Sequence, residues 1–210
     1  SILCGLVSAT MLIMQGGTFL AHRTENGIQE RTTKYTIVSA VAMVVLFVAA
    51  GIWIQSIDGY AIVSQIDPAA VANPLTKEVV VQPGAWMSNF AKYPWAWAFP
   101  ALGIIMPLIT VVLLKAGKTL TSFVTSSFAV IGVIMTAGIS LFPFVIPSSS
   151  FPNASLTIWD SVSSHFTLMV MLYVVVLLLP VVVFYTSWAY SVMRGKVTVA
   201  YIRENDHTSY

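Results

Sequence analysis

Residues 162–193, VSSHFTLMVMLYVVVLLLPVVVFYTSWAYSVM, contain no Asp, Glu, Lys or Arg and are interrupted only by His165. A helix needs roughly 20 apolar residues to cross about 30 Å of hydrocarbon, and this run exceeds that length. Residues 2–21, 35–54, 95–114 and 120–146 repeat the pattern with no charged side chain at all. The expected fold class is therefore an all-α polytopic membrane protein. Five transmembrane helices form one domain over 1–210, with longer loops at 55–94 and 147–161.

Composition agrees. Hydrophobic residues make up 57% of the chain and charged residues 9%, against about a quarter charged in soluble domains; the mean hydropathy is +0.84. A formal charge of +2 without any Lys/Arg block excludes a nucleic-acid surface. The lone Cys4 has no second thiol for a disulfide or a metal and is expected to be a packing residue. The chain starts Ser-Ile-Leu-Cys, with neither an initiator Met nor a basic leader segment. The first stretch is thus expected to be a span rather than a signal peptide, in what is expected to be the C-terminal part of a longer subunit.

Orientation follows the distribution of Lys and Arg. Arg23, Arg31 and Lys34 follow the first stretch, Lys115 and Lys118 lie between the third and fourth, and Arg194, Lys196 and Arg203 occupy the tail. The opposite side holds only Lys77 and Lys92. The N-terminus is expected outside and the C-terminus in the cytoplasm. Trp53, Trp86, Tyr93, Trp95 and Trp159 then fall at outer ends, and Tyr35, Tyr185, Trp188 and Tyr190 at inner ends, as interfacial aromatics do.

Ser122, Ser126, Ala129, Gly132, Thr136 and Ser140 recur every three or four residues, a stripe expected to allow close helix approach, with a substrate groove as the alternative. Pro100, Pro107 and Pro180 lie within expected helices, where each removes a backbone hydrogen bond.

Ionisable groups inside a membrane are functional candidates because they are costly there, and few exist. His165 is either a haem ligand or a polar contact at a boundary or subunit face; a two-histidine haem site cannot be built from this chain alone. Asp160 precedes the last stretch, either as a cap on its free N–H groups or as a carboxylate that handles protons or faces a quinone. If only a cap, Asp160→Asn is expected to cost about 1 kcal/mol or less. Asp58 is expected in a turn closing the second helix, with further turns at Asp67-Pro68 and Asn73-Pro74. Asn153-Ala154-Ser155 matches a glycosylation triplet, a pattern too short to carry weight. No metal-ligand spacing or phosphate-binding loop is present.

Longer strings are more specific. Met14-Gln15-Gly16, Ile57-Asp58-Gly59-Tyr60, Asn73-Pro74-Leu75, Lys77-Glu78-Val79, Gly84-Ala85-Trp86, Pro100-Ala101-Leu102-Gly103, Thr136-Ala137-Gly138-Ile139, Phe142-Pro143-Phe144-Val145, Pro147-Ser148-Ser149 and Asn153 through Asp160 follow one another in this order. Together they resemble the C-terminal part of subunit II of the bacterial cytochrome bd ubiquinol oxidases, over nearly the whole chain. The resemblance implies the last five of about nine helices, as a four-helix bundle plus one further helix, in a multi-pass subunit of the bacterial inner membrane. It also implies an oxidase that takes electrons from quinol and reduces dioxygen to water. Haems b and d would belong to the partner, subunit I, and no catalytic centre is expected here. Further expected partners are a small single-helix accessory subunit, membrane lipid and, as in some members, a structural quinone. The family's proton-conducting carboxylate would fall upstream of Ser1, so no residue here inherits that role. A competing expectation is a secondary transporter of a small solute, motivated by the helix prolines; it lacks the charged midplane groups that ion coupling uses.

Overall fold

The computed structural model describes residues 2–64 and 73–192. The tail cations Arg194, Lys196 and Arg203, the Asp67-Pro68 turn and Met193 lie outside the described residues. Five long helices dominate: α1 (Ile2–Arg23), α2 (Asn26–Trp53), α4 (Ala98–Lys115), α5 (Thr119–Leu141) and α6 (His165–Val192), with a short α3 (Ser88–Lys92) before α4. All five long helices have the length and apolarity to cross a membrane, and the chain is a multi-pass membrane protein.

α1 packs on α2 and α5, and α4 packs on α2 and α5, so these four helices close a ring. Met11, Met14, Ala40, Met43 and Ala129 are buried at its centre, with Met106, Val111, Val130 and Val133 around them. Unbranched Met side chains fill the irregular space between the helices. The small-residue stripe of α5 faces inward as expected: Ser122, Ser126, Ala129, Gly132 and Ser140 are buried. α6 is different, since every residue from His165 to Val192 is exposed except the half-buried Ala189.

At one end of the ring the connecting segments form a layer of their own. β1 (Asp58–Ile62) pairs antiparallel with β2 (Val79–Pro83), and β3 (Phe144–Ile146) with β4 (Leu156–Thr157). Val79, Trp86 and Phe144 are buried between the sheets, against Ile54, Tyr60 and Ile62. Gly84 turns the chain out of β2 with φ 68°, a left-handed conformation open to glycine. At Gly59 a Cβ would lie 2.6 Å from the Trp86 backbone nitrogen, so only a glycine lets the two segments touch.

Several expected boundaries are corrected. The span expected at 120–146 stops at Leu141, because Pro143 has no N–H and pushes Phe142 out of the helical region, to ψ 133°; the apolar run continues as β3. The expected loop at 22–34 is mostly helix: α2 starts at Asn26, so Arg31 and Lys34 ride its first turns. With 28 residues at 1.5 Å each, α2 is roughly 40 Å long and outruns the hydrocarbon. The expected helix over 95–114 begins as a 3-10 turn, Pro94–Trp97. Pro100 then sits in the first turn of α4, where its missing N–H breaks no helical bond, whereas Pro107 and Pro180 are internal. Asp58 opens a strand rather than a helix-ending turn, and Trp86 is buried rather than at a lipid boundary. Asn73 does mark a turn: its Oδ1 accepts from Leu75 N–H at 3.0 Å. Cys4 is exposed rather than packed.

Candidate functional site

The charged candidate with the best-defined surroundings is Asp160, and it does not cap a helix. α6 begins five positions later, at His165. The Asp160 Oδ2 instead accepts from Lys77 Nζ at 2.6 Å, Thr157 Oγ1 at 2.6 Å and Thr157 N–H at 3.2 Å. Only 3% of the Lys77 side chain and 11% of that of Asp160 are exposed, so this is a largely buried ion pair. Burial pushes the Asp160 pKa up, but the Lys77 ammonium and the two Thr157 donors outweigh it and hold the carboxyl below its ordinary 3.8. The group is a carboxylate at neutral pH, with all three donors on its Oδ2.

The pair is one clamp of several across the loop layer. Val79 N–H donates to Asn153 Oδ1 at 2.8 Å, and Tyr60 Oη–H donates to the Ser148 carbonyl at 2.9 Å. Tyr60, Trp86 and Phe144 stack mutually, with ring centroids 5.4 to 6.1 Å apart. Trp86 Nε1–H donates to the Asp58 carbonyl at 3.1 Å, and Ser140 at the end of α5 donates to the Trp86 carbonyl at 3.0 Å. The clamps join segments 58–62, 77–83 and 144–160 to the helix ring. Beside them opens a cavity of about 410 Å3 between Tyr60, Trp86, Asn89, Lys92, Phe142 and Trp159. Tyr60→Phe removes one donor from a half-buried carbonyl and is expected to lower stability by about 1 kcal/mol, read by thermal unfolding of the purified protein; no change would mean that Ser148 O finds water instead.

The other candidates are not brought to Asp160. Asp58 has an exposed side chain at the start of β1 and contributes its backbone carbonyl. His165 is exposed on the first turn of α6. Among the described residues no group of three or more His, Cys, Asp or Glu could hold a metal ion.

A second polar cluster escaped the sequence analysis. Within the ring, Ser126 Oγ–H donates to Gln15 Oε1 at 2.6 Å and Gln15 Nε2–H to Ser127 Oγ at 2.9 Å, while Thr18 Oγ1 lies 3.0 Å from Ser126 Oγ. Gln15 and Thr18 share one face of α1, and with Ser126 and Ser127 they weld α1 to α5. His22 Nδ1 and Thr119 Oγ1, 3.1 Å apart, extend the line to the opposite end of the ring from the loop layer. Hydroxyl and amide groups in hydrocarbon find partners because an unmet donor is costly there, and every buried side-chain N or O among the described residues has one. The available signal was the Gln15 amide inside an otherwise apolar span, opposite the small polar stripe.

Comparison with known proteins gives this architecture a context. The family described as cytochrome bd terminal oxidase subunit II matches residues 1–193. Among curated proteins, the cytochrome bd-I ubiquinol oxidase subunit 2 of Escherichia coli K12 is 45% identical over all 210 residues, which cover 55% of that relative. The probable cytochrome oxidase subunit 2 of Haemophilus influenzae is 39% identical over the same 210 residues, 56% of its length. The chain thus spans about half the length of the curated relatives it matches.

Proposed function

Because this chain belongs to the cytochrome bd terminal oxidase subunit II family, we propose that it is a haem-free part of a bd-type terminal respiratory oxidase of the bacterial inner membrane. That complex couples quinol oxidation to reduction of dioxygen to water. The observation that carries the proposal is 45% identity over all 210 residues of the chain. Two relatives named as oxidase subunits leave the transporter alternative without support.

In this proposal haems b and d belong to subunit I, and the present chain supplies scaffold. α1, α2, α4 and α5 form the four-helix bundle, and α6 is the further helix, its apolar faces meeting other parts of the complex. A small single-helix subunit, lipid and a structural quinone are further partners. The N-terminus lies outside and the C-terminus in the cytoplasm, in keeping with Arg23, Arg31, Lys34, Lys115 and Lys118 at one end of the ring and Lys77 and Lys92 at the other. The loop layer with the Lys77–Asp160 pair is then periplasmic. His165 is a boundary or subunit-contact residue, and Asp160 and Asp58 serve structure rather than proton transfer.

The test is deletion of the gene segment encoding this chain. Membranes of the deletion strain are expected to lose quinol-dependent oxygen uptake together with the optical signal of haem d, and a plasmid copy to restore both. Full oxygen uptake and an intact haem d spectrum in its absence would refute the proposal.

A further inference from the structure

A half-open cavity of about 360 Å3 lies among the loop-side ends of α1, α2, α4 and α5. Val7, Phe47, Ile104 and Val133 line it from the helices, and Phe90 and Trp97, their rings 5.4 Å apart, from the loop layer. Such a volume falls within the range of ligand sites, while protein interiors leave few voids larger than one water molecule. Water is a poor occupant, since the lining is mostly apolar and a buried water needs about two to four polar partners.

The chemistry of the walls narrows the occupant. Two of the hydroxyls lining the cavity are already committed: Thr136 Oγ1–H donates to the Gly132 carbonyl at 2.6 Å, and Ser140 Oγ–H to the Trp86 carbonyl at 3.0 Å. Neither is free to meet a further polar group, and burying one unmet is costly; these inner walls therefore suit a hydrocarbon chain. Gln55 and the indole of Trp97 are exposed and line the same opening. An amide and an indole suit the boundary where an acyl chain meets its polar headgroup. At about 30 Å3 for a group the size of a water molecule, the cavity accepts roughly a dozen groups, much of one acyl chain.

We propose that this cavity binds one acyl chain of a membrane phospholipid from the loop-side leaflet, as a resident structural lipid. The proposal rests on the membrane embedding of the helices and is independent of the oxidase assignment.

Gly51 provides the test, because it lines the cavity and a Cβ built there has nothing within 4 Å. Gly51→Leu extends a side chain from α2 at this lining position, and Ala137→Leu does so from α5. The intact complex is reconstituted in nanodiscs of phosphatidylethanolamine and phosphatidylglycerol, stripped with a delipidating detergent, and its retained molecules identified by native mass spectrometry. The unaltered complex is expected to keep a phospholipid. Each buried methylene is worth about a factor of four in affinity, so excluding two predicts roughly tenfold less retention in either variant. Gly16→Leu, on α1 away from the cavity with open space at its Cβ, is expected to retain lipid normally. Equal retention in Gly51→Leu and Ala137→Leu, a stripped complex without lipid, or recovery of a quinone in its place would each overturn the proposal.

Discussion

Lys77→Met is expected to lower the stability of the folded protein by about 3 kcal/mol, the lower end of what removing one partner from a buried ion pair costs. The side chain it truncates is 3% exposed, and the carboxylate left behind is 11% exposed. Thr157 still donates to Asp160 from its hydroxyl and its N–H, which keeps the loss from being larger. For a chain of this size the change corresponds to a fall in Tm of roughly 6–12 °C. Asp160→Asn is expected to behave similarly, although an asparagine would be a good replacement at a helix cap: it takes the charge from beside the buried Lys77 ammonium. Replacing both residues, as Lys77→Met with Asp160→Leu, is expected to recover much of the loss, because no unpaired charge is then left at these two buried positions.

Acid separates this ion pair from simple packing. The folded-state pKa of Asp160 lies below its ordinary 3.8, so the carboxylate contributes stability in full above that value. The contribution is lost as pH falls through the folded pKa. Thermal unfolding followed from pH 5 downward is therefore expected to show a steeper acid loss for the unaltered protein than for Lys77→Met. Superimposable profiles would show that the ion pair does not stabilise the fold. The consequence reaches α6, which starts five residues beyond Asp160 and packs little on the rest of the chain. What fixes its entry is the anchored segment before it, held by Lys77 and by the stacking of Trp159 on Phe142, 6.3 Å between centroids.

The spans were legible because lipid imposes a local rule: a run of apolar residues long enough to cross it must be helical. Where the rule changes, legibility ends. Residues 144–146 are as apolar as the helix before them, yet after Pro143 they form a strand of the loop layer in which only Phe144 is buried; hydropathy records what surrounds a residue, whereas hydrogen bonding sets where a helix stops. Arg31 and Lys34 show the converse, as helix continues into the charged boundary. The site was harder to read because its bonds are distant in sequence. Lys77 and Asp160 are 83 residues apart, and Gln15 and Ser126 are 111 apart; no periodicity connects either pair. The nearest clue was chemical, a lysine and an aspartate assigned to the same side of a chain with very few charges.

Gly132→Leu is expected to prevent folding of the helix ring, and Gly132→Ala to cost about 3 kcal/mol, the upper range for overpacking a filled interior. A Cβ at Gly132 would lie 2.5 Å from Gly103 N, 2.9 Å from Phe99 O and 3.0 Å from Gly103 Cα. All three are backbone atoms of α4 and its first turn, so no side chain can rotate away and the two helices must separate. Separation is resisted along the same interface by the Thr110 and Thr125 hydroxyls, 2.8 Å apart, with Thr110 fully buried. α4 cannot back away freely either, because Gly103 sits against the Phe47 ring of α2, where its own Cβ would be 3.0 Å from the ring. Gly138 supplies the control on the same helix, since nothing lies within 4 Å of a Cβ there. Gly138→Ala is expected to be neutral or to stabilise by up to about 1 kcal/mol, through the better helix propensity of alanine. The measurement is the yield of monodisperse protein after detergent extraction, followed by thermal unfolding of each variant. If Gly132→Ala and Gly138→Ala unfold at the same temperature, α4 and α5 are not in backbone contact, and the small-residue stripe of α5 loses its role in closing the ring.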